Sequence, residues 1–328
     1  MLLGVALDAA AHADSDRSSW GGFWSGLIGR LDGAVDFVTL EDGFARAGAD
    51  GPDAVLLANW LAPRSRDIGI IAGAPVNLLE PFHVSTAIAT LDYVSEGRAG
   101  LLAQRLREAR AAEGRRALGA LNGFPADDRQ AQDRDAQAAI EVISRLWDSW
   151  EDDAVIRDPK SQRFLDGSKL HYIDFEGADF RVLGPSITPR PPQGQPPVAI
   201  AWAEGDDPSL IREADIVFLP AGQGEIGDVI RDSRRGAEGA GPIFIADLDL
   251  GPEGPSIAGL VVAAKQATEL GAGGIRIVLS DPSVQLGQLL SEVLPGLRDA
   301  GFVRRPSGGT LRQRFNLPVA ANRYTAAA

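Results

Sequence analysis

Few residue types in this chain could do chemistry. It has three histidines, His12, His83 and His171, far apart in sequence, and no cysteine. Disulfides, thiolate metal sites and cysteine nucleophiles are therefore excluded, and isolated imidazoles offer no cluster to hold a metal. What remains is proton transfer by single side chains and ligand holding by backbone and glycine loops. The string ADIVFLPAGQGEIGD sets Gly222, Gly224 and Gly227 in a G-x-G-x-x-G spacing after an apolar run, and Asp247 ends the next run. That form suits a dinucleotide, because glycines let the backbone approach a pyrophosphate and the acid takes a ribose hydroxyl. Glu225 and Asp228 flank it with the wrong charge, so a glycine loop in an acidic protein is the simpler account.

The elements that must position such residues follow from hydrophobic patterning. Short apolar runs at Leu2–Leu7, Asp36–Leu40, Ile68–Ala72, Ala117–Leu121, Val198–Trp202, Ile216–Leu219, Ile243–Leu248 and Ile275–Leu279 read as strands,. Helical patterns cover Trp20–Leu31, Asp53–Trp60, Pro81–Val94, Ala131–Trp150 and Ile257–Leu270, and LLAQRLREARAAE, Leu101–Glu113, has the strongest helix formers of all,. Eight strands, most separated by helices, predict an α/β (β/α)8 barrel, although an open doubly wound sheet alternates in the same way. In a barrel, chemistry gathers at the C-terminal strand ends. His12 would follow the first strand, Glu41 and Asp42 the second, Asn77, Glu80 and His83 the third, Asn122 and Gly123 the fourth, and Trp202 and Glu204 the fifth. Most such residues in any barrel are helix caps or solvated loop positions, and His83, inside a helical pattern, is expected to be structural.

Between Leu146 and Pro197 the pattern changes. An acidic cluster leads into strand-like pieces around His171 and Phe180 and then into TPRPPQGQPP, which disfavours helix and central strand alike and should run extended across a surface. An ordered insertion of this kind commonly covers or shapes a site. The net charge of −13 argues against nucleic acid and anionic membrane as partners. No run approaches the ~18 apolar residues of a membrane span. The opening MLLGVALDAAAHADSD lacks a basic region and is broken by Asp8, so it reads as a first strand and not as a signal peptide. A cytoplasmic protein with residues 1–328 in one barrel domain is expected.

Three strings carry a resemblance. LWDSWEDDA with HYIDFEGADFRVLGP and PRPPQGQPP, then EPFHVSTAIATLDYVSEGRAG, and finally TLRQRFNLPVAANRY resemble the bacterial luciferase-like flavin monooxygenases, in the branch acting on nitrilotriacetate, dibenzothiophene sulfone and long alkanes. The resemblance implies a TIM barrel with an insertion, about 148–197, near its mouth. It also implies an FMNH2-dependent monooxygenase working through a flavin hydroperoxide, with O2, a small organic substrate and a separate flavin reductase as partners, in a homo-oligomer. By the same resemblance His12 is the catalytic proton donor or substrate contact and Asp42, in TLEDG, a contact of the flavin ring. Asn122, Gly123 and Trp202 would lie at the cofactor.

Departures from the family pattern concern the flavin phosphate. GRAG runs into LLAQRLREARAAE where relatives have a WNVVTS-like string with a phosphate-binding hydroxyl. AWAEGDD replaces a QAGxS-like loop, and the tyrosine of a helix-opening motif is missing from DRDAQ. Glu204, Asp206 and Asp207 would repel a phosphate, so reduced FMN is expected to bind weakly. The rival readings are a non-catalytic family member that binds another small molecule or a protein partner, and a nicotinamide-dependent reductase using the glycine loop.

Overall fold

The structure, a computed structural model, describes residues 1–11, 16–42, 51–77, 79–106, 129–220, 226–234, 241–251, 256–302 and 308–325. Eight parallel strands close into a barrel: β1 (Leu2–Asp8), β2 (Phe37–Glu41), β3 (Gly69–Pro75), β4 (Ala99–Gln104), β5 (Val198–Ala201), β6 (Ile216–Pro220), β7 (Ile243–Asp249) and β8 (Gly274–Val278). Each pairs with the next, and β8 pairs back to β1 from Leu2↔Gly274 to Ala6↔Val278. The runs are apolar almost throughout because both faces are covered. Outward residues such as Val5, Val38, Ile70, Leu101, Ile200 and Val217 join the helices in the main core. Their inward neighbours, among them Phe37, Ile71, Leu102, Ala199, Phe218 and Ile245, make a second core inside the barrel.

The helical layer contains α1 (Trp20–Leu31), α2 (Ala54–Leu61), α3 (Pro81–Val94), α4 (Arg129–Asp148), α5 (Ser209–Arg212), α6 (Ile226–Arg234), α7 (Ile257–Glu269) and α8 (Pro282–Gln288). A π turn, Leu289–Val293, carries α8 into α9 (Leu294–Asp299). Starts are set by side-chain caps: Asp53 accepts from the Leu56 N–H, Ser256 from the Gly259 N–H, and Pro81 begins α3 behind Glu80,.

One expected element is corrected. The helix expected at Leu101–Glu113 begins instead as the fourth barrel strand. AGLLAQ pairs with β3 from Ile70↔Ala99 to Pro75↔Gln104 and with β5 from Leu101↔Val198. Leu101 and Leu102 are buried on opposite sides of the sheet, so tertiary pairing overrides a helix propensity worth only tenths of a kcal/mol per residue. The strand expected at Ala117–Leu121 lies outside the described residues, and the barrel closes without it.

The insertion leaves the end of α4 and forms two small antiparallel hairpins, Val155–Asp158 with Arg163–Leu165 and Phe175–Glu176 with Arg181–Val182. Ile173, Phe175 and Val182 pack on Val142 and Leu146 of α4 and reach Phe82 at the mouth end of α3. The proline run is not extended throughout, because it turns at Pro191, where the Gly194 N–H donates to the Pro191 carbonyl at 2.7 Å. That turn presents Gln193 to the buried Asp92 of α3, which accepts from the Gln193 backbone and side-chain amides at 2.9 and 2.6 Å. The C-terminal stretch then enters the barrel from the N-terminal side. Leu311 and Phe315, around α10 (Leu311–Arg314), join the inner core, with the Phe315 ring 5.2 Å from that of Phe37.

Candidate functional site at the barrel mouth

The inward parity that is apolar at the floor becomes polar toward the C-terminal strand ends. Arg276 of β8 is 2% exposed. Its Nε and Nη2 donate to the two carboxylate oxygens of Asp247 on β7 at 2.7 and 2.6 Å, and its Nη1 donates to Thr39 Oγ1 at 2.9 Å and Glu41 Oε1 at 3.2 Å on β2. The guanidinium lies 3.8 Å from the ring centroid of Phe218, a cation–π contact of about 2 kcal/mol when desolvated. Burial alone would lower the pKa of Arg276, but Asp247 and Glu41 more than offset it, and the net shift is upward. Burial raises the Glu41 carboxyl; Arg276 opposes the shift, and Asp247 and Asp8 add to it. Glu41 keeps 39% of its side-chain surface open, so a carboxyl whose pKa burial has raised faces the mouth above an arginine.

Beside this network Gln104, at the end of β4, reaches across β3 to β2, where its Oε1 accepts from the Asp42 N–H at 2.7 Å. It can do so because position 73 is glycine: a Cβ there would sit 2.3 Å from Gln104 Oε1. Asp42 stands at the mouth as expected, but its carboxylate accepts from the Ala54 N–H at 2.7 Å and so anchors the start of α2, where a negative charge is favourable.

Trp202 is half-buried and packs against the core between strands and helices, and its backbone N–H donates to the Phe218 carbonyl. Asn77 is a tie bar: its amide donates to the Gln132 carbonyl and to Asp135, and its oxygen accepts from the Leu106 N–H. His83 is exposed on α3. His12, Asn122 and Gly123 lie outside the described residues, as do Gly222 and Gly224, and strand 4, which Asn122 was expected to follow, ends at Gln104. Asp247, the acid of the glycine-loop reading, is held by Arg276.

The corner between β4 and β5 is where a phosphate would be sought, and its described guanidinium groups are turned onto Asp206. Arg105, directly after β4, has a side chain 4% exposed that pairs with Asp206 and, at 3.0 Å, with Asp133. Asp206 also takes Arg129 from the start of α4 and the Ala203 N–H at 2.8 Å. The expectation that Asp206 stands as bare repelling charge is thus corrected: two guanidinium groups neutralise it. Asp207 closes a local turn, its carboxylate accepting from the Ser209 N–H at 2.8 Å. Hydrogen bonds to charged groups are worth about 1.5–3 kcal/mol each, so a phosphate entering this corner would have to displace Asp206 from three donors. The described residues here do not fit a phosphate.

Sequence reasoning passed over Arg276 and Arg105. The signal for Arg276 was present, since a cation inside the apolar run GGIRIVL must find a buried partner, and IFIADLDL supplies it on the adjacent strand. Among the described residues no group of three or more His, Asp or Glu is placed to hold a metal, and no helix is long and apolar enough to cross a membrane.

A closed parallel barrel with an apolar floor and a charged, partly open C-terminal mouth is the class of α/β barrel that takes small ligands at its strand ends. Within that class, the chain belongs to the luciferase-like monooxygenase family, whose signature matches residues 33–270. It is 31% identical over 197 residues to N-acetyl-S-(2-succino)cysteine monooxygenase of Bacillus subtilis (strain 168), covering 57% of this chain and 42% of that protein. It is 35% identical over 159 residues to nitrilotriacetate monooxygenase component A of Aminobacter aminovorans, covering 48% and 34%. The chain thus matches less than half the length of these relatives. A solved long-chain alkane monooxygenase superposes with a TM-score of 0.78 over 96% of this chain and 95% of that one, at 18% identity, a likeness of fold.

Proposed function

We propose that this chain is the oxygenase of a two-component flavin monooxygenase, taking reduced flavin from a separate reductase and using O2 on a small organic substrate at the barrel mouth. The observation that carries the reading is the family match over residues 33–270 on a barrel whose polar mouth lies at the ligand-binding end. Bound reduced flavin would supply the electrons that activate dioxygen. The chain's own contribution is to exclude water and hold protons. Glu41, with its raised carboxyl above Arg276, suits proton holding, and His12, in the segment after β1, is proposed as the proton donor or substrate contact.

The test is an anaerobic titration with reduced FMN and reduced riboflavin. Saturable binding of either is expected, with His12→Ala lowering substrate-dependent O2 consumption more than flavin affinity. Absence of binding for both would overturn the reading. It would favour a non-catalytic member of the family, a rival that draws on the filled corner at Asp206.

A further inference from the structure

The geometry at the β4–β5 corner points to a specificity device: we propose that Asp206 is a built-in anion that fills the mouth's phosphate-type subsite. On this proposal the chain distinguishes little between FMN and riboflavin. The inference rests on the flavin reading above and deepens it by naming which part of the ligand goes unrecognised.

Two guanidinium groups and a backbone N–H converging on one point at a barrel mouth form the donor set that a phosphate or carboxylate takes from a protein. Here they converge on a side chain of the same loop. Asp206 is 6% exposed as a residue, and its carboxylate accepts from Arg105, Arg129 and the Ala203 N–H. The loop is shaped to deliver it. Gly205 has φ +77, a conformation other residues rarely adopt, and a Cβ there would approach Arg129 Nη1 to 3.1 Å. The Asp206 N–H donates back to the Ala203 carbonyl at 3.0 Å, closing a tight turn. Arg105 is further fixed by Asp133 and by the Ala201 carbonyl at 2.9 Å.

Among these four side chains two positive charges meet two negative ones, so these four groups by themselves offer a dianion no net attraction. Its entry requires an internal ion pair to open. A flavin can still be held by its ring and its uncharged ribityl chain, neither of which needs this corner. The terminal phosphate then adds little.

The experiment compares dissociation constants for reduced FMN and reduced riboflavin, anaerobically, in the unaltered protein and in Asp206→Ser and Asp206→Asn. The unaltered protein should bind the two flavins within about threefold of each other, and both variants should favour FMN by about tenfold or more. A tenfold or greater preference for FMN in the unaltered protein would overturn the proposal, because the phosphate would then be held elsewhere. Melting with inorganic phosphate gives a readout independent of flavin: phosphate should raise the melting temperature of either variant more than that of the unaltered protein. An equal shift in all three would overturn the proposal. If neither flavin binds, the functional reading fails and the phosphate shift alone decides the role of Asp206. If neither variant folds, the flavin ratio of the unaltered protein decides it.

Discussion

The two ends of the barrel are built from the same strands at the same inward parity, yet they are chemically opposite. At the floor, Phe37, Ile71 and Ile245 meet Leu311 and Phe315 of the C-terminal stretch in an apolar plug. At the mouth, Thr39, Glu41, Asp247 and Arg276 form a hydrogen-bonded charged layer, and Phe218 joins the layers, with Phe37 on one side at 6.1 Å and the Arg276 guanidinium on the other. Burial at the floor is worth about 25 cal/mol per Å2 of apolar surface. A buried ion pair yields little net stability, since desolvation offsets most of its attraction. The floor therefore holds the fold, while the mouth keeps polar groups that add little to stability, as the proposed ligand role requires.

The strongest way to break this comparison is to remove the floor. Deleting residues 308–328 takes away Leu311 and Phe315 together with the buried Arg312 and Arg314, and the expected outcome is loss of the cooperative melt by circular dichroism. An unchanged melt would show the plug to be an appendage.

A milder cut at each end should then differ in kind. Phe315→Ala should cost about 3–5 kcal/mol in urea unfolding, the range for a buried aromatic truncated to alanine, with flavin affinity at the mouth unaltered. Arg276→Ala should cost a similar amount, about 3–5 kcal/mol, because it strands Asp247 and Glu41. The paired change Arg276→Met with Asp247→Leu sharpens the point. Replacing a buried ion pair by apolar side chains is often neutral or stabilising, so the part of the loss that comes from Asp247 should return, while the part at Glu41 and flavin binding should not.

A subtler difference lies where the insertion meets α3. Burial raises the Asp92 carboxyl to about 6 despite its bonds to Gln193 and the Ala99 N–H. The folded value lies above the unfolded one near 3.8, so the folded state binds the extra proton. The stability this group contributes is full below about pH 4 and is lost as pH rises through about 6, by roughly 3 kcal/mol in all. Asp92→Asn should remove that fall from the difference between melts at pH 4.5 and pH 7.5. A slope identical to that of the unaltered protein would mean that Asp92 is not the titrating group.

Asp42→Ala, which removes the carboxylate from the Ala54 N–H, should cost about 1 kcal/mol, the smallest effect of the set.

How much of this was legible in the sequence depended on what held each element. Trp20–Leu31 was readable from its apolar spacing, and Pro81–Val94 from its spacing together with the Glu80–Pro81 start, because both signals act locally. β4 was not, because the reason that AGLLAQ is a strand lies in its neighbours β3 and β5, which are distant in sequence, while its own residues favour a helix. The mouth followed the same rule. Strand ends named Glu41, Asp42 and Asp247, but the pairing of Arg276 with three residues on two other strands needs the barrel's parity and shear. Asp206 looked like a repelling charge because its partners, Arg105 and Arg129, are about a hundred and about eighty residues away in the chain.

The most direct test of the division between the ends is hydrogen–deuterium exchange of the whole chain with and without reduced flavin, under anaerobic conditions. Ligand binding at the mouth predicts new amide protection at residues 39–42 and 247–249, beside the Arg276 layer, with none at 311–317. Protection confined to 311–317, or no protection anywhere at saturating flavin, would contradict the account.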